Sequence, residues 1–290
     1  MKKGLIRNKP SKKFNVQIDQ NLWASEKIYD FVYKKIRDLP LTEPNKMKYS
    51  CLGFVLAPRI IQNVTGENFH DFVDENVYGR LGALYTTFNP LTRGGYPLSQ
   101  IMPTEYDNAF RKSLVHGFVH DEASAVVGGY SSNAGLFSNA LGIAELFQMY
   151  LNKGTYGGQY FFSPETFDTF NTQYYLQYNN YRAIGFEKAT PANKDRKVED
   201  AWPAPSCSPE AFGHSGFTGT YAWADPANGL IYVFLSNRVY PTRNNKAFDK
   251  MQARVGIHEL AYQLIKEGLP KEATIQEKQP ETKAPALFAD

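Results

Sequence analysis

The chain has 290 residues, of which 42% are hydrophobic, 14% aromatic and 21% charged, with a formal net charge of +3. This composition is typical of a folded globular protein with room for a sizeable core, and it excludes general disorder. Lysine and arginine are scattered without a basic run, no apolar run is long enough to span a membrane, and the amino terminus lacks the apolar core of a signal peptide, so we expect neither nucleic-acid partners nor a membrane segment.

Apolar residues at helical spacing predict two helices early in the chain. The first follows Ser25, whose side chain can cap a helix, and it closes before Pro40. The second covers 52–64, where Pro58 predicts a kink or a division into two parts. Gly66 ends this second segment, as glycine commonly does after a helix.

A short helix is predicted next, ending near Gly79, and it is followed by a stretch rich in turn residues. Residues 83–120 show little periodicity, which favours loop. The clearest helical pattern then begins after Ser138 or Asn139, either of which can cap it, and it stops at Gly154.

The last third of the chain changes from helical to strand periodicity and back. Ser163 and Pro164 begin another short helix. The runs "GTYAWADP" and "GLIYVFLSN" flank a turn and predict an antiparallel hairpin, whose second strand is apolar on both faces and is therefore expected inside a sheet. An amphipathic helix is predicted over 248–265, with four inner residues: Met251, Val255, Tyr262 and Ile265. The whole order predicts an α+β fold, a helical layer packed on an antiparallel sheet with a cleft between them.

Cysteine and histidine spacing gives little support for a metal or a cofactor. Cys51 and Cys207 are far apart and have no metal-ligand spacing, so we interpret them as ordinary thiols. His116 and His120 have the spacing of a helical metal pair, but the neighbouring glycine favours a hydrogen-bonding loop beside the cleft. His258 is interpreted as a packing residue, and no metal or cofactor is predicted.

Three stretches carry a resemblance to a known family: "KYSCLGFVL", "GGYSSNAGLFSNALGIAELFQMYLNKGTYGG" and "FGHSGFTGTYAWADPANGLIYVFLSNR". In order and spacing, they resemble the serine β-lactamase and penicillin-binding-protein-like family, in its class C and esterase branch. The likeness runs from Tyr49 to Leu264. It implies a β-lactamase/transpeptidase-like fold and hydrolysis of an ester or amide through a reactive serine.

The resemblance assigns the strand side of the cleft to a motif near the end of the chain. His214, Ser215 and Gly216 match the family's Lys-Thr/Ser-Gly or His-x-Gly motif on an edge strand. In this match His214 adds positive character and is a catalytic candidate, the Ser215 hydroxyl reaches a substrate carboxylate, and Gly216 leaves room for substrate backbone. Phe217 and Thr218 continue the substrate-binding stretch.

Tyr49 matches the tyrosine of the family's Tyr-x-Asn/Asp motif, so it is the second catalytic candidate. In the family its phenol, with a pKa lowered by nearby cations, helps to move the proton of the serine. Cys51 stands where the motif has Asn or Asp and cannot make the same hydrogen bonds. No serine of the chain has lysine three positions later, so the family's Ser-x-x-Lys nucleophile is not found.

These departures predict a partial domain. The chain resembles the carboxyl-terminal two-thirds of a family member, with the amino-terminal strands and the nucleophile helix missing. We expect an irregular segment over 1–18, a partial β-lactamase-like domain over 19–268 and a disordered tail over 269–290. The missing strands predict an exposed sheet edge and hence self-association, or a partner domain that completes the sheet.

The functional prediction is therefore a serine hydrolase domain by family that is inactive as an isolated chain. Its expected ligand is a small-molecule or peptidoglycan-like substrate. One alternative is a pseudoenzyme that binds peptidoglycan-like or acyl ligands without turnover. Another is an appendage that stabilises a partner domain, such as a glycoside hydrolase. The cellular location stays open, because family members are commonly periplasmic or secreted whereas this sequence shows no signal peptide.

Overall fold

The computed structural model describes residues 4–41, 43 and 47–268. Its helices are α1 (Lys27–Arg37), α2 (Leu52–Thr65), α3 (Phe69–Val73), α4 (Gly79–Leu81), α5 (Glu122–Val126), α6 (Ala140–Leu151), α7 (Pro164–Asn171), α8 (Ala247–Lys250) and α9 (Ala253–Glu267). A π-helical segment, Asp74–Tyr78, joins α3 to α4. Its strands are β1 (Ile6–Arg7), β2 (Val16–Asp19), β3 (Leu22–Ala24), β4 (Thr87–Phe88), β5 (Glu105–Asp107), β6 (Ser113–Val115), β7 (Leu136–Phe137), β8 (Thr155–Tyr156), β9 (Gln159–Tyr160), β10 (Glu187–Lys188), β11 (Phe212–Ser215), β12 (Tyr221–Asp225) and β13 (Leu230–Phe234).

The largest sheet of the described residues is antiparallel, with the order β10-β11-β12-β13. Strand β11 pairs along its whole length with β12, so that His214 lies opposite Ala222 and Ser215 opposite Tyr221. Strand β10 reaches only Phe212 and Gly213. The carboxyl end of β11 therefore has one unpaired side. Helices together with this sheet confirm the α+β class.

Strand β13 lies at the end of this sheet in the part of the chain that the structure describes, so the expectation of an internal strand is wrong. Its two apolar faces have another cause. Ile231 packs with the cluster that contains Phe147 of α6, whereas Tyr232 packs with the cluster that contains Val255 of α9. A helix on each face makes both faces apolar without a neighbouring strand on each edge.

Helix α9 covers the sheet with Val255, His258 and Tyr262, which are all buried. The packing role predicted for His258 is confirmed. Met251 and Ile265, expected on the inner stripe, are 75% and 48% exposed. Gln252 adopts a left-handed conformation with φ +49°, which separates α8 from α9 and leaves Met251 before the helix that packs on the sheet.

Helix α2 runs through Pro58 as one helix, so the predicted division into two parts is wrong. Proline has no N–H, and the carbonyl of Phe54, four residues earlier, therefore lacks its helical donor. The Ser132 hydroxyl donates to this carbonyl at 2.5 Å. A side chain from another part of the chain thus satisfies the acceptor that Pro58 frees.

The amino-terminal segment departs from the irregular structure expected for 1–18. Strands β1, β2 and β3 form a three-stranded antiparallel sheet of their own. Strands β5 and β6 likewise form a hairpin inside the predicted loop 83–120. The predicted tail 269–290 lies outside the described residues. Among the residues that are described, no helix combines the length and apolar character needed to cross a lipid bilayer.

Candidate functional site

The carboxyl end of β11 leads directly into a tight turn. The Gly216 N–H donates to the Thr220 carbonyl at 2.8 Å, and the Gly219 N–H donates to the Gly216 carbonyl at 3.1 Å. A Cβ atom on Gly216 would lie only 2.1 Å from Thr220 Oγ1. A side chain at this position would therefore force the Thr220 hydroxyl to move. The space for substrate backbone that the resemblance implies at Gly216 stays a prediction.

His214 has a hydrogen-bond partner at each of its two ring nitrogens. Arg182 Nη2 lies 2.7 Å from His214 Nε2, and His214 Nδ1 lies 2.8 Å from the Ser215 carbonyl. Arginine only donates and a carbonyl only accepts, so Nε2 carries the lone pair and Nδ1 carries the proton. Arg182 thus places a positive charge directly beside His214.

Arg182 also contacts Tyr49, the second catalytic candidate. The guanidinium carbon lies 5.4 Å from the centre of the Tyr49 ring, although this ring is 60% exposed. Burial and the neighbouring Cys51 raise the pKa of Tyr49, and Arg182 only partly opposes them. This direction is opposite to the lowered pKa that the family resemblance implies for Tyr49. The two catalytic candidates nevertheless share one cation.

Arg182 itself was missed by the sequence analysis. Its Nη1 lies 3.0 Å from Glu187 Oε1, and Trp202 Nε1 donates to Glu187 Oε2 at 3.0 Å. Glu187 belongs to β10, which pairs with β11, so the carboxylate fixes the arginine beside His214. The sequence feature that could have identified Arg182 is its position directly after the tyrosine-rich stretch "QYYLQYNNY", because guanidinium groups pack on aromatic faces.

Phe217 lies on the other side of the turn, in contact with a second cationic group. Its ring stacks on His120 with centres 5.7 Å apart, and the guanidinium carbons of Arg238 and Arg243 lie 4.9 and 5.7 Å from its centre. The interpretation of His120 as part of a hydrogen-bonding loop agrees with its 2.7 Å contact to Glu105.

The buried Glu105 carboxylate organises this second group. Arg243 donates to it from Nε and from its backbone N–H, both at 2.7 Å, and His120 Nε2 lies 2.7 Å from Oε2. Burial by itself raises the pKa of Glu105, but these hydrogen bonds outweigh it and hold the pKa below its usual range. His116 hydrogen-bonds the Ile101 carbonyl instead of joining His120. In the described ranges, no three His, Cys, Asp or Glu side chains are grouped as metal ligands.

Ser215 ends β11, and Thr218 lies in the turn that follows it. The Ser215 backbone pairs with Tyr221, and its carbonyl accepts from His214. Within the described residues, neither its hydroxyl nor that of Thr218 takes part in a hydrogen bond. One cation and two unengaged hydroxyls at the end of a strand form a surface suited to an anionic or carbonyl-containing ligand.

Comparison with known proteins agrees with this geometry. The family model described as "Beta-lactamase" matches residues 7–255. The chain belongs to the β-lactamase family. A protein of Escherichia coli O157:H7 named "Putative D-alanyl-D-alanine carboxypeptidase" is 35% identical over 234 residues, covering 74% of this chain and 51% of the relative. A Salmonella agona protein of the same name is 32% identical over 248 residues, covering 80% and 55%. The chain thus spans about half the length of the curated relatives it matches.

Solved structures of β-lactamase-like proteins share the fold. A β-lactamase of Mycobacterium bovis has a TM-score of 0.50 at 18% identity and covers 78% of this chain and 68% of its own. A mutant simvastatin synthase of Aspergillus terreus has a TM-score of 0.52 at 15% identity, covering 83% and 61%. At these identities the structures show the fold alone, and they confirm the predicted β-lactamase-like architecture.

Proposed function

We propose that this chain forms the substrate-binding strand side of a serine-hydrolase-type cleft and binds acyl-D-alanyl peptides or related acyl ligands with a carboxylate. We propose further that the isolated chain does not hydrolyse them. The observation that carries the proposal is Arg182, which contacts both Tyr49 and His214 at the end of β11. The carboxypeptidase names of the relatives support the ligand class.

The charge at the strand end supports recognition of a carboxylate. Arg182 uses part of its donor set on Glu187 and His214, and its planar group retains further N–H donors. Arginine with a nearby hydroxyl suits a carboxylate better than a neutral amide, because hydrogen bonds between ionised partners are the stronger ones. Glu187 offsets part of the charge, so we expect selectivity for carboxylates with modest affinity.

Three features support binding without turnover by the isolated chain. A serine nucleophile needs an adjacent base, and no serine of the 290-residue sequence is followed by lysine three positions later. The lone pair of His214, the residue beside Ser215, is occupied by Arg182. The raised pKa of Tyr49 disfavours a phenolate that would accept the serine proton.

Covalent labelling tests the absence of turnover. The purified chain is incubated with a fluorescent penicillin and, separately, with a fluorophosphonate, and its intact mass is measured, with a class C β-lactamase as positive control. We expect no added mass on this chain and complete labelling of the control. An acyl adduct on the isolated chain would refute this part of the proposal.

Calorimetry with matched ligands tests the binding site. An N-acyl-D-alanyl-D-alanine is compared with its carboxyl-terminal amide, on the wild-type chain, on Arg182→Gln and on Arg59→Gln, which removes an exposed arginine of α2. We expect the acid to bind about tenfold more tightly than the amide, for a charged hydrogen bond of about 1.5 kcal/mol. Arg182→Gln should abolish the difference and Arg59→Gln should retain it. Equal binding of acid and amide to the wild-type chain would show that Arg182 is not a carboxylate site.

A further inference from the structure

The outward face of α9 carries an apolar stripe that no described residue covers. Ile257, Leu260 and Leu264 are 45%, 55% and 48% exposed. At 100° per residue they lie on the side opposite to His258 and Tyr262, which pack on the sheet. Large apolar side chains at three consecutive turns of one helix form a continuous patch rather than isolated exposed residues.

The spacing of this stripe is that of a helix-pairing seam. Ala253, Ile257, Leu260 and Leu264 follow one another at intervals of four, three and four residues. This alternation places them at the core positions of a heptad pattern, whose side chains insert into holes on a facing helix. A helix face that contacts only water does not require apolar residues at this spacing. The spacing therefore indicates that this face packs against a second helix.

We propose that the seam pairs with α9 of a second copy of this chain, in antiparallel orientation. A two-fold axis between residues 258 and 259 places Ile257 opposite Leu260 of the second copy, and Leu264 opposite Ala253. Each of the two central layers of this interface then pairs Ile257 with Leu260. Each of the two outer layers pairs the large Leu264 with the small Ala253. The seam is thus complementary to itself in this register, without any other partner.

Charges at the two ends of α9 favour the same orientation. Glu267 ends the helix, and Lys250 lies just before its amino end. Antiparallel pairing brings Glu267 of one copy towards Lys250 and the amino-terminal dipole of the other copy, whereas parallel pairing brings like charges together. The 15-residue helix is about 22 Å long. Such a pair buries less than the roughly 800 Å² per partner of a stable complex, so we expect a dimer that dissociates in the micromolar range.

Sedimentation velocity over a wide concentration range tests the proposal without any ligand or activity. We expect a concentration-dependent dimer for the wild-type chain and a monomer for Leu260→Glu at every concentration. Val64→Glu is the matched control, because Val64 is an 81% exposed apolar residue on another helix, α2. It should dimerise as the wild type does. Near-ultraviolet circular dichroism of both variants confirms that the exposed substitutions leave the fold intact.

Disulfide trapping tests the orientation. In a Cys51→Ser background, which removes the partly exposed thiol, Ile257→Cys and Leu260→Cys chains are oxidised separately and as a mixture. The antiparallel register predicts a covalent dimer mainly in the mixture, because residues 257 and 260 face each other across the axis. Three results would overturn the proposal. The first is a wild-type chain that stays monomeric at high concentration. The second is a Leu260→Glu chain that dimerises as strongly as the wild type, for example through the edge of β13, and the third is as much covalent dimer from each cysteine variant alone as from the mixture.

Discussion

Acidification should destabilise this fold through one buried histidine, His258. Its ring lies between α9 and the sheet, stacked on Tyr232 with centres 4.3 Å apart, and the Tyr221 hydroxyl lies 3.1 Å from Nδ1. These partners satisfy a neutral imidazole but offer no carboxylate in contact with an imidazolium. Burial therefore lowers the pKa of His258 from 6.5 to about 4, a change that Asp225 only partly opposes.

The sign and size of the effect follow from this difference in pKa. Between pH 6.5 and about 4 the unfolded chain binds a proton at His258 that the folded chain does not. The free energy of unfolding consequently falls as the pH falls through this window. At about 1.36 kcal/mol per unit of pKa difference, the loss reaches about 2.5 kcal/mol at pH 4.5 and levels off at about 3.4 kcal/mol well below pH 4. This is a large fraction of the roughly 5–15 kcal/mol that stabilises a typical domain.

Urea unfolding at a series of pH values, on the wild-type chain and on His258→Phe, measures this contribution. Phenylalanine retains a ring against Tyr232 and cannot titrate, although the Tyr221 hydroxyl loses its acceptor, at a cost of about 1–3 kcal/mol. Above pH 7 the two profiles should run parallel. From above pH 7 down to pH 4.5 the wild-type chain should lose about 2.5 kcal/mol more than the variant. Parallel profiles over the whole range would refute the reasoning.

Three further substitutions test contacts that hold the fold and the strand end. Ser132→Ala should cost about 1 kcal/mol in urea unfolding, and the cost should disappear in a Pro58→Ala background, where the helix supplies the missing donor. Gly216→Ala should destabilise the turn and accelerate its hydrogen exchange, and Thr220→Ala should restore both, since it removes the clashing hydroxyl; failure of this rescue would assign another role to the glycine. Arg243→Met should cost about 3 kcal/mol, because it leaves a buried carboxylate short of donors, and an unchanged unfolding midpoint would show that the carboxylate has other support.

The sequence predicted those elements whose local signals agree with their packing. Asn139 caps α6 and Ser163 caps α7 through side chains that accept from the backbone N–H three residues later, so both helices begin where their caps stand. The hairpin of β12 and β13 was also predicted from a local pattern, because two apolar runs flank a turn that contains Asp, Pro, Asn and Gly. Periodicity and capping are local properties, and they need no knowledge of the rest of the chain.

The errors occurred where distant contacts decide the outcome. Pro58 predicted either a kink in α2 or a division into two parts, and the division is excluded because the hydroxyl of Ser132, distant in sequence, bonds the carbonyl that the proline leaves free. The partner of His214 Nε2 is likewise Arg182, which no motif includes. Composition and spacing cannot reveal which residue will meet a given lone pair, because that depends on how β10 aligns beside β11.

The end of β11 is held by charges rather than by apolar packing, and this determines which part of the site can change with conditions. Arg182 reaches His214 from one side while Glu187 fixes it, and Arg243 contacts Phe217 from the other side while Glu105 fixes it. The Arg182 and Glu187 side chains are 26% and 13% exposed, and those of Arg243 and Glu105 are 35% and 4% exposed. Both arginines are therefore in contact with solvent, and salt screens both of them. The two pairs differ in their carboxylates: burial and hydrogen bonds hold the buried Glu105 with a pKa below its usual range, so acid breaks the Phe217 side only when it protonates this group.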